Sequence, residues 1–125
     1  MVKQMDKAQA LHSFWSGFGL TAYDENTVPE GAQLPYITYS VGMAEMGEPI
    51  ILTASLWYHS TSWAAISQKA ELINRSITPG GVIIPFDGGS LWIWRGSPFS
   101  QRMEDPDPSI RRIYMNINAE FLSSD

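Results

Sequence analysis

The chain has 125 residues, which is one domain at roughly 100–200 residues per domain. It has no cysteine, so disulfides, thiolate zinc sites, iron–sulfur ligation and a cysteine nucleophile are excluded. Thirteen acidic against eight basic residues give a net charge of −5, the wrong sign for a chain that grips nucleic acid by its phosphates.

The first segment predicts a helix from Gln4 to Ser16, with Met5, Ala8, Leu11, Trp15 and Phe18 on one face and Gly17 and Gly19 as the stop. Leu20 to Gln33 reads as loop, with a short extended start at Leu20–Tyr23. Pro35 to Met43 reads as a strand, its leading proline suited to a strand start. After a glycine-rich turn, Ile50 to His59 is the next strand. Ile50, Leu52, Ala54, Leu56 and Tyr58 share one side and Trp57 sits on the other. These two strands form a hairpin.

Ser60-Thr61-Ser62 supplies capping oxygens before a second helix, on which Trp63, Ile66, Ala70, Ile73 and Ile77 step by three and four residues. Thr78-Pro79-Gly80-Gly81 ends it. Val82–Phe86 and Ser90–Gly96 then form a hairpin around Asp87-Gly88-Gly89. Ser97 to Ser109, with Pro98, Pro106 and Pro108, reads as a mobile loop. Ile110 to Phe121 alternates apolar Ile113, Met115, Ile117, Ala119 and Phe121 with polar neighbours, the pattern of a half-buried strand. The expected fold is a single α+β domain over residues 1–125, a mainly antiparallel sheet with two α-helices packed on one face.

Two helices cover one sheet face, yet in Leu91-Trp92-Ile93-Trp94 both parities are apolar. Charged residues make up 17% of the chain against roughly 25% in ordinary soluble domains. Depleted charge and abundant aromatics are the composition of interface centres. Trp57, Trp92 and Trp94 are therefore candidate subunit-interface residues. Arg111 and Arg112, with Arg102 the one basic cluster, are candidates to pair with carboxylates on a neighbour.

Catalytic signatures are lacking. His12 and His59 have neither H-x-H nor H-E-x-x-H spacing, and there is no G-x-S-x-G elbow. Asp105-Pro106-Asp107 lacks the glycine and distal glutamate of a calcium loop, and no glycine pair belongs to a phosphate-binding loop. The chain is expected to be no enzyme and to hold no metal or cofactor. A ligand pocket lined by Trp15, Trp57 and Tyr36 is the alternative. No apolar run approaches the roughly 20 residues of a membrane span, and the first residues lack a signal-peptide layout, so synthesis in the cytoplasm is expected.

The Pro35-Tyr36-Ile37-Thr38-Tyr39 strand, the long second strand, the Ser60-Thr61-Ser62-Trp63-Ala64-Ala65 helix opening and the closing strand resemble the tail terminator (tail completion) proteins of long-tailed bacteriophages and prophages. The similar portion runs from Met1 to about Phe121, with Leu34–Ile77 carrying most of it. The resemblance implies a structural minor tail protein of the virion, assembled in the bacterial host cytoplasm. It implies a homo-oligomeric ring, usually a hexamer, that caps the tail tube. The implied partners are other copies of itself, the major tail tube protein and the head–tail connector. It brings no catalytic residues, no specific nucleic acid and no membrane. Another head–tail joining or tube component, and a small ligand-binding domain, are the alternative readings.

Overall fold

The computed structural model describes residues 6–43 and 45–123. Its elements run α1 (Lys7–Ser16), β1 (Thr21–Asp24), β2 (Tyr36–Tyr39), β3 (Ile50–His59), α2 (Ala64–Ser76), β4 (Val82–Phe86), β5 (Gly89–Met103) and β6 (Ile110–Ser123). The strands form one six-stranded sheet in the order β1-β2-β3-β6-β5-β4. Only the β1–β2 pair is parallel, and the other four are antiparallel. The expected α+β architecture is the observed one.

β6 is the spine. It pairs with β3 from Ile50↔Ala119 to His59↔Ile110 and with β5 from Gly89↔Ser123 to Met103↔Arg112. Period-two alternation then decides which side chains are dry. Ile113, Met115, Ile117, Ala119 and Phe121 are buried, as are Leu52, Ala54 and Leu56 on β3 and Leu91 and Ile93 on β5. Both helices join this single core, α1 through Ala10, Leu11 and Trp15 and α2 through Ile66, Ala70 and Ile73, with Ile77 just beyond. Both helices therefore lie on the same face.

Each helix is tied down locally. An Asp6–Gln9 capping box opens α1, with Asp6 Oδ1 accepting the Gln9 N–H at 2.8 Å and Gln9 Oε1 accepting the Asp6 N–H at 2.9 Å. Ahead of α2, Ser62 Oγ accepts the Ala64 N–H at 3.1 Å. Lys69 Nζ on α2 donates to the Phe18 carbonyl just past α1 at 2.8 Å, joining the two helices. Arg95 on β5 donates to Asn74 Oδ1 on α2 at 3.0 Å.

Several expectations need correction. α1 begins at Lys7, Gln4 and Met5 lie outside the described residues, and Ala8 is exposed while Ala10 is buried. The strand expected from Pro35 to Met43 ends at Tyr39. The extended start near Tyr23 is a true strand, held by parallel pairing to β2 rather than by its own composition. The largest departure is the supposed loop over 97–109. Residues through Met103 continue β5, and only the stretch before Ile110 is irregular. Pro98 is tolerated because the β5–β6 register shifts between Arg95 and Ser100, where a proline without an N–H breaks no ladder bond. β6 side chains repair the gap. Asn116 Nδ2 donates to the Pro98 carbonyl at 3.1 Å and Asn118 Nδ2 to the Arg95 carbonyl at 3.2 Å. The β4–β5 turn is Asp87-Gly88, with Gly88 at φ 89°. A Cβ on the following Gly89 would run into the Leu122 carbonyl.

Trp15 is fully buried between α1 and the sheet, edge-on to Phe14. Trp15→Ala is expected to lower the unfolding free energy by about 3–5 kcal/mol through lost burial and the cavity left behind. Urea titration followed by circular dichroism reads the shift.

Candidate functional site

The sheet's other face carries no helix among the described residues. Its strand positions are Tyr23 on β1, Tyr36 and Thr38 on β2, and Ile51, Thr53, Ser55 and Trp57 on β3. Beyond these lie the alternate residues of β6 from Arg112 to Glu120, then Trp92 and Trp94 on β5 and Ile83 on β4. Ile51 is 72% exposed and Ile83 63%, each the second residue of its strand. Isolated exposed apolar residues mean little, but here they share one face with three half-buried indoles.

The face has two chemically different ends. At one end, Arg112 lies 4.6 Å from the Trp57 ring centroid and 5.6 Å from that of Tyr114. Its Nε donates to Ser55 Oγ at 3.0 Å, which helps hold the guanidinium over aromatic surface. Trp57 Nε1 donates to Thr38 Oγ1 at 2.9 Å, and Tyr23 packs edge-on to Tyr36. At the other end, Trp92 and Trp94 have ring centroids 4.3 Å apart. Trp92 pairs across strands with Ile83, and its Nε1 donates to the Gly80 carbonyl at 2.9 Å. The indole N–H groups of Trp57 and Trp92 are thus satisfied inside the chain, which leaves carbon surface outward.

Of the sequence-derived interface candidates, Trp57, Trp92, Trp94 and Arg112 share this face. Arg111 does not. It pairs with Tyr58 on the helix side, donates to the Thr61 carbonyl at 2.7 Å and to the Pro108 carbonyl at 3.0 Å, and lies 5.2 Å from the Trp63 ring centroid. Arg102 also lies over Trp63, at 4.8 Å. The three arginines expected to act together are split between the two faces because adjacent strand residues point opposite ways. The interface candidates left out Tyr114, Ile51 and Ile83, each readable by parity as an outward strand position.

The alternative ligand pocket is not formed. Trp15 is in the core, whereas Trp57 and Tyr36 lie on the far side of the sheet. A shallow groove of about 730 Å³ lies elsewhere, lined by Lys7, Met43, Met46, Phe86 and Asp87. His12 bridges Tyr39 OH at 3.0 Å and Ser16 Oγ at 3.1 Å. Burial first, and then the Asp24 charge, push the Tyr39 phenol above its ordinary value, so it stays a neutral hydroxyl. That chain has a serine and an imidazole but no carboxylate to orient the ring, and it ties α1 to β2. Among the described residues no three of His, Asp or Glu gather as a metal site, and no helix is long and apolar enough to cross a membrane.

In the loop between β5 and β6, the Ser109 hydroxyl and then its backbone N–H donate to Asp107 Oδ1, holding that carboxyl below its ordinary value of 3.8. A depressed value stabilises the folded loop above the ordinary aspartate range, and this support fades as pH falls through the folded value. NMR titration is expected to find the Asp107 midpoint below 3.8 and to see it rise in Ser109→Ala. On the open face, Trp94→Ser is expected to keep cooperative unfolding and to cost less stability than Trp15→Ala, because its ring is only half-buried. Side-by-side urea titrations compare the two.

No protein-family model and no curated protein matches the chain. Among solved structures, it is similar to a chain of the "Virion of native gene transfer agent (GTA) particle", with a TM-score of 0.63 and 17% identity. The likeness covers 91% of this chain and 90% of that one, so it is a likeness of fold along most of both.

Proposed function

We propose that this chain is a structural protein of a phage-like particle, and within it a tail terminator. In this reading, copies form a ring that closes the tail tube and offers a docking face to the head connector. The observation that carries it is the fold likeness to a chain of a gene transfer agent virion along nine-tenths of both chains.

The open sheet face supports the same reading. A ring is built from heterologous contacts, so each subunit needs surface that is incomplete alone. Trp57, Trp92, Trp94 and Arg112 supply such surface, to be covered in the particle by a neighbouring subunit or a tail component. The protein acts by binding, with no catalytic step. Its acidic charge suits a subunit beside a DNA channel, where tight phosphate contacts would hinder passage.

Deleting the gene from the particle's gene cluster is the test. Electron microscopy is expected to show tubes of uncontrolled length and unjoined heads. Particles with normal, joined tails would refute the terminator role.

A further inference from the structure

Among the described residues, strand positions on the open face carry two carboxylate or guanidinium side chains, and both belong to β6: Arg112 and Glu120. They are eight residues apart on one side of the strand, about 27 Å at ~3.4 Å per residue. Both are half-buried, and neither has a partner of opposite charge, since the one ion pair among the described residues is Glu71–Arg75 on α2. The other well-placed cations, Lys69, Arg95 and Arg111, are spent on acceptors within the chain. Arg112 binds only Ser55 through Nε, which leaves its outer fork for a carboxylate.

We infer that, before assembly, this face is covered by the same face of a second copy, with the two β6 strands antiparallel. The inference rests on the reading of the open face as a docking surface. With their strands aligned, two sheets can stack face to face about a two-fold axis in two ways. An axis along the strands sets Arg112 over Arg112 and Glu120 over Glu120, which is repulsive at both ends. An axis across the strands sets Arg112 of each copy over Glu120 of the other, two attractive pairs from one operation. The midpoint is Asn116, which then sits against its own symmetry copy.

The apolar residues follow the same operation. The Arg112 row holds Trp57 and Met103, and the Glu120 row holds Trp92 and, next to it on β4, Ile83. Turning one copy over brings Trp92 above the Met103 row, so indole meets apolar surface. Six strands at ~4.8 Å spacing and the ~27 Å between the charged rows give a patch of roughly 650 Å² in projection. A standard interface buries about 800 Å² of accessible surface per partner, so the face is of the right size. The contact is isologous and cannot close a ring, so it must open before a ring neighbour or tail component takes the face.

Sedimentation of the purified full chain tests this. The expected result is a dimer that Arg112→Glu and Glu120→Arg each weaken more than about tenfold, since like charges in contact cost several kcal/mol. The double reversal R112E/E120R is expected to restore it. Circular dichroism checks each fold, and Glu120→Arg stands if loss of the Ser55 bond unfolds Arg112→Glu. The chain has no cysteine, so Asn116→Cys is expected to cross-link to itself with a short bismaleimide, while Ser13→Cys on the outside of α1 is not. A monomer at all concentrations, a dimer indifferent to the reversals that keep the native circular dichroism spectrum, or a natively folded double variant left monomeric overturns the inference. None of these results touches the particle phenotype of the gene deletion, which tests the terminator reading separately.

Discussion

A sheet has two faces, and this chain has helices for one. That imbalance governs the molecule. β6 runs through the middle of the sheet with neighbours on both sides, so its alternate residues must be either wholly dry or outward. The dry set is Ile, Met, Ile, Ala and Phe, filled in from above by Trp15, Ile66 and Ile73. The outward set is Arg, Tyr, Asn, Asn and Glu. Among the described residues no element forms a third layer over it. What distinguishes this outward face from an ordinary wet one is its flanks, where Trp57, Trp92 and Trp94 stand on the neighbouring strands.

An indole on a wet face usually turns its N–H to water. Here Trp57 and Trp92 turn theirs inward, to Thr38 and to the Gly80 carbonyl. The consequence is energetic. A partner that covers these two rings removes apolar carbon from water and strands neither of their N–H groups, so for them docking avoids the penalty of an unsatisfied N–H. The two asparagines of β6 act in the same way. Asn116 and Asn118 satisfy carbonyls that the irregular part of β5 leaves free, and so spend their amides within the monomer. Part of the polar capacity of the open face is thus used within the monomer, and Arg112 and Glu120 are its acid and base side chains without a partner of opposite charge among the described residues.

How much of this was legible in the sequence depends on whether local pattern or distant pairing sets each element. β3 and β4 begin and end where their alternation does, and α2 keeps the three-and-four spacing of its apolar stripe. The second half of β5 was not legible. Its own residues, Ser97-Pro98-Phe99 and the polar run after them, say loop, and it is a strand only because β6 presents a ladder and the asparagines to finish it. β1 is similar, four residues recruited by β2 in parallel. The capping box at Asp6 and Gln9 was present as a sequence signature that periodicity overlooked. For the site, strand parity held the answer. Grouping Arg111 with Arg112 ignored that neighbours on a strand face opposite ways, and the structure puts one under Trp63 and the other beside Trp57.

A subunit of net charge −5 should repel its copies, which bears on how such a face can be used at all. Two scales separate the effects. At physiological ionic strength the Debye length is about 8 Å, so the diffuse repulsion between exposed carboxylates is largely screened. A guanidinium packed on Trp57 and half-buried is screened far less once a partner closes over it. Added salt therefore weakens the general repulsion first and the contact pair last. An acidic chain whose open face holds an arginine over Trp57, with no carboxylate partner among the described residues, is thus selective rather than merely sticky. Net charge adds repulsion only at low salt, whereas the contact at Arg112 admits a partner that brings a carboxylate to it and apolar surface to the tryptophans.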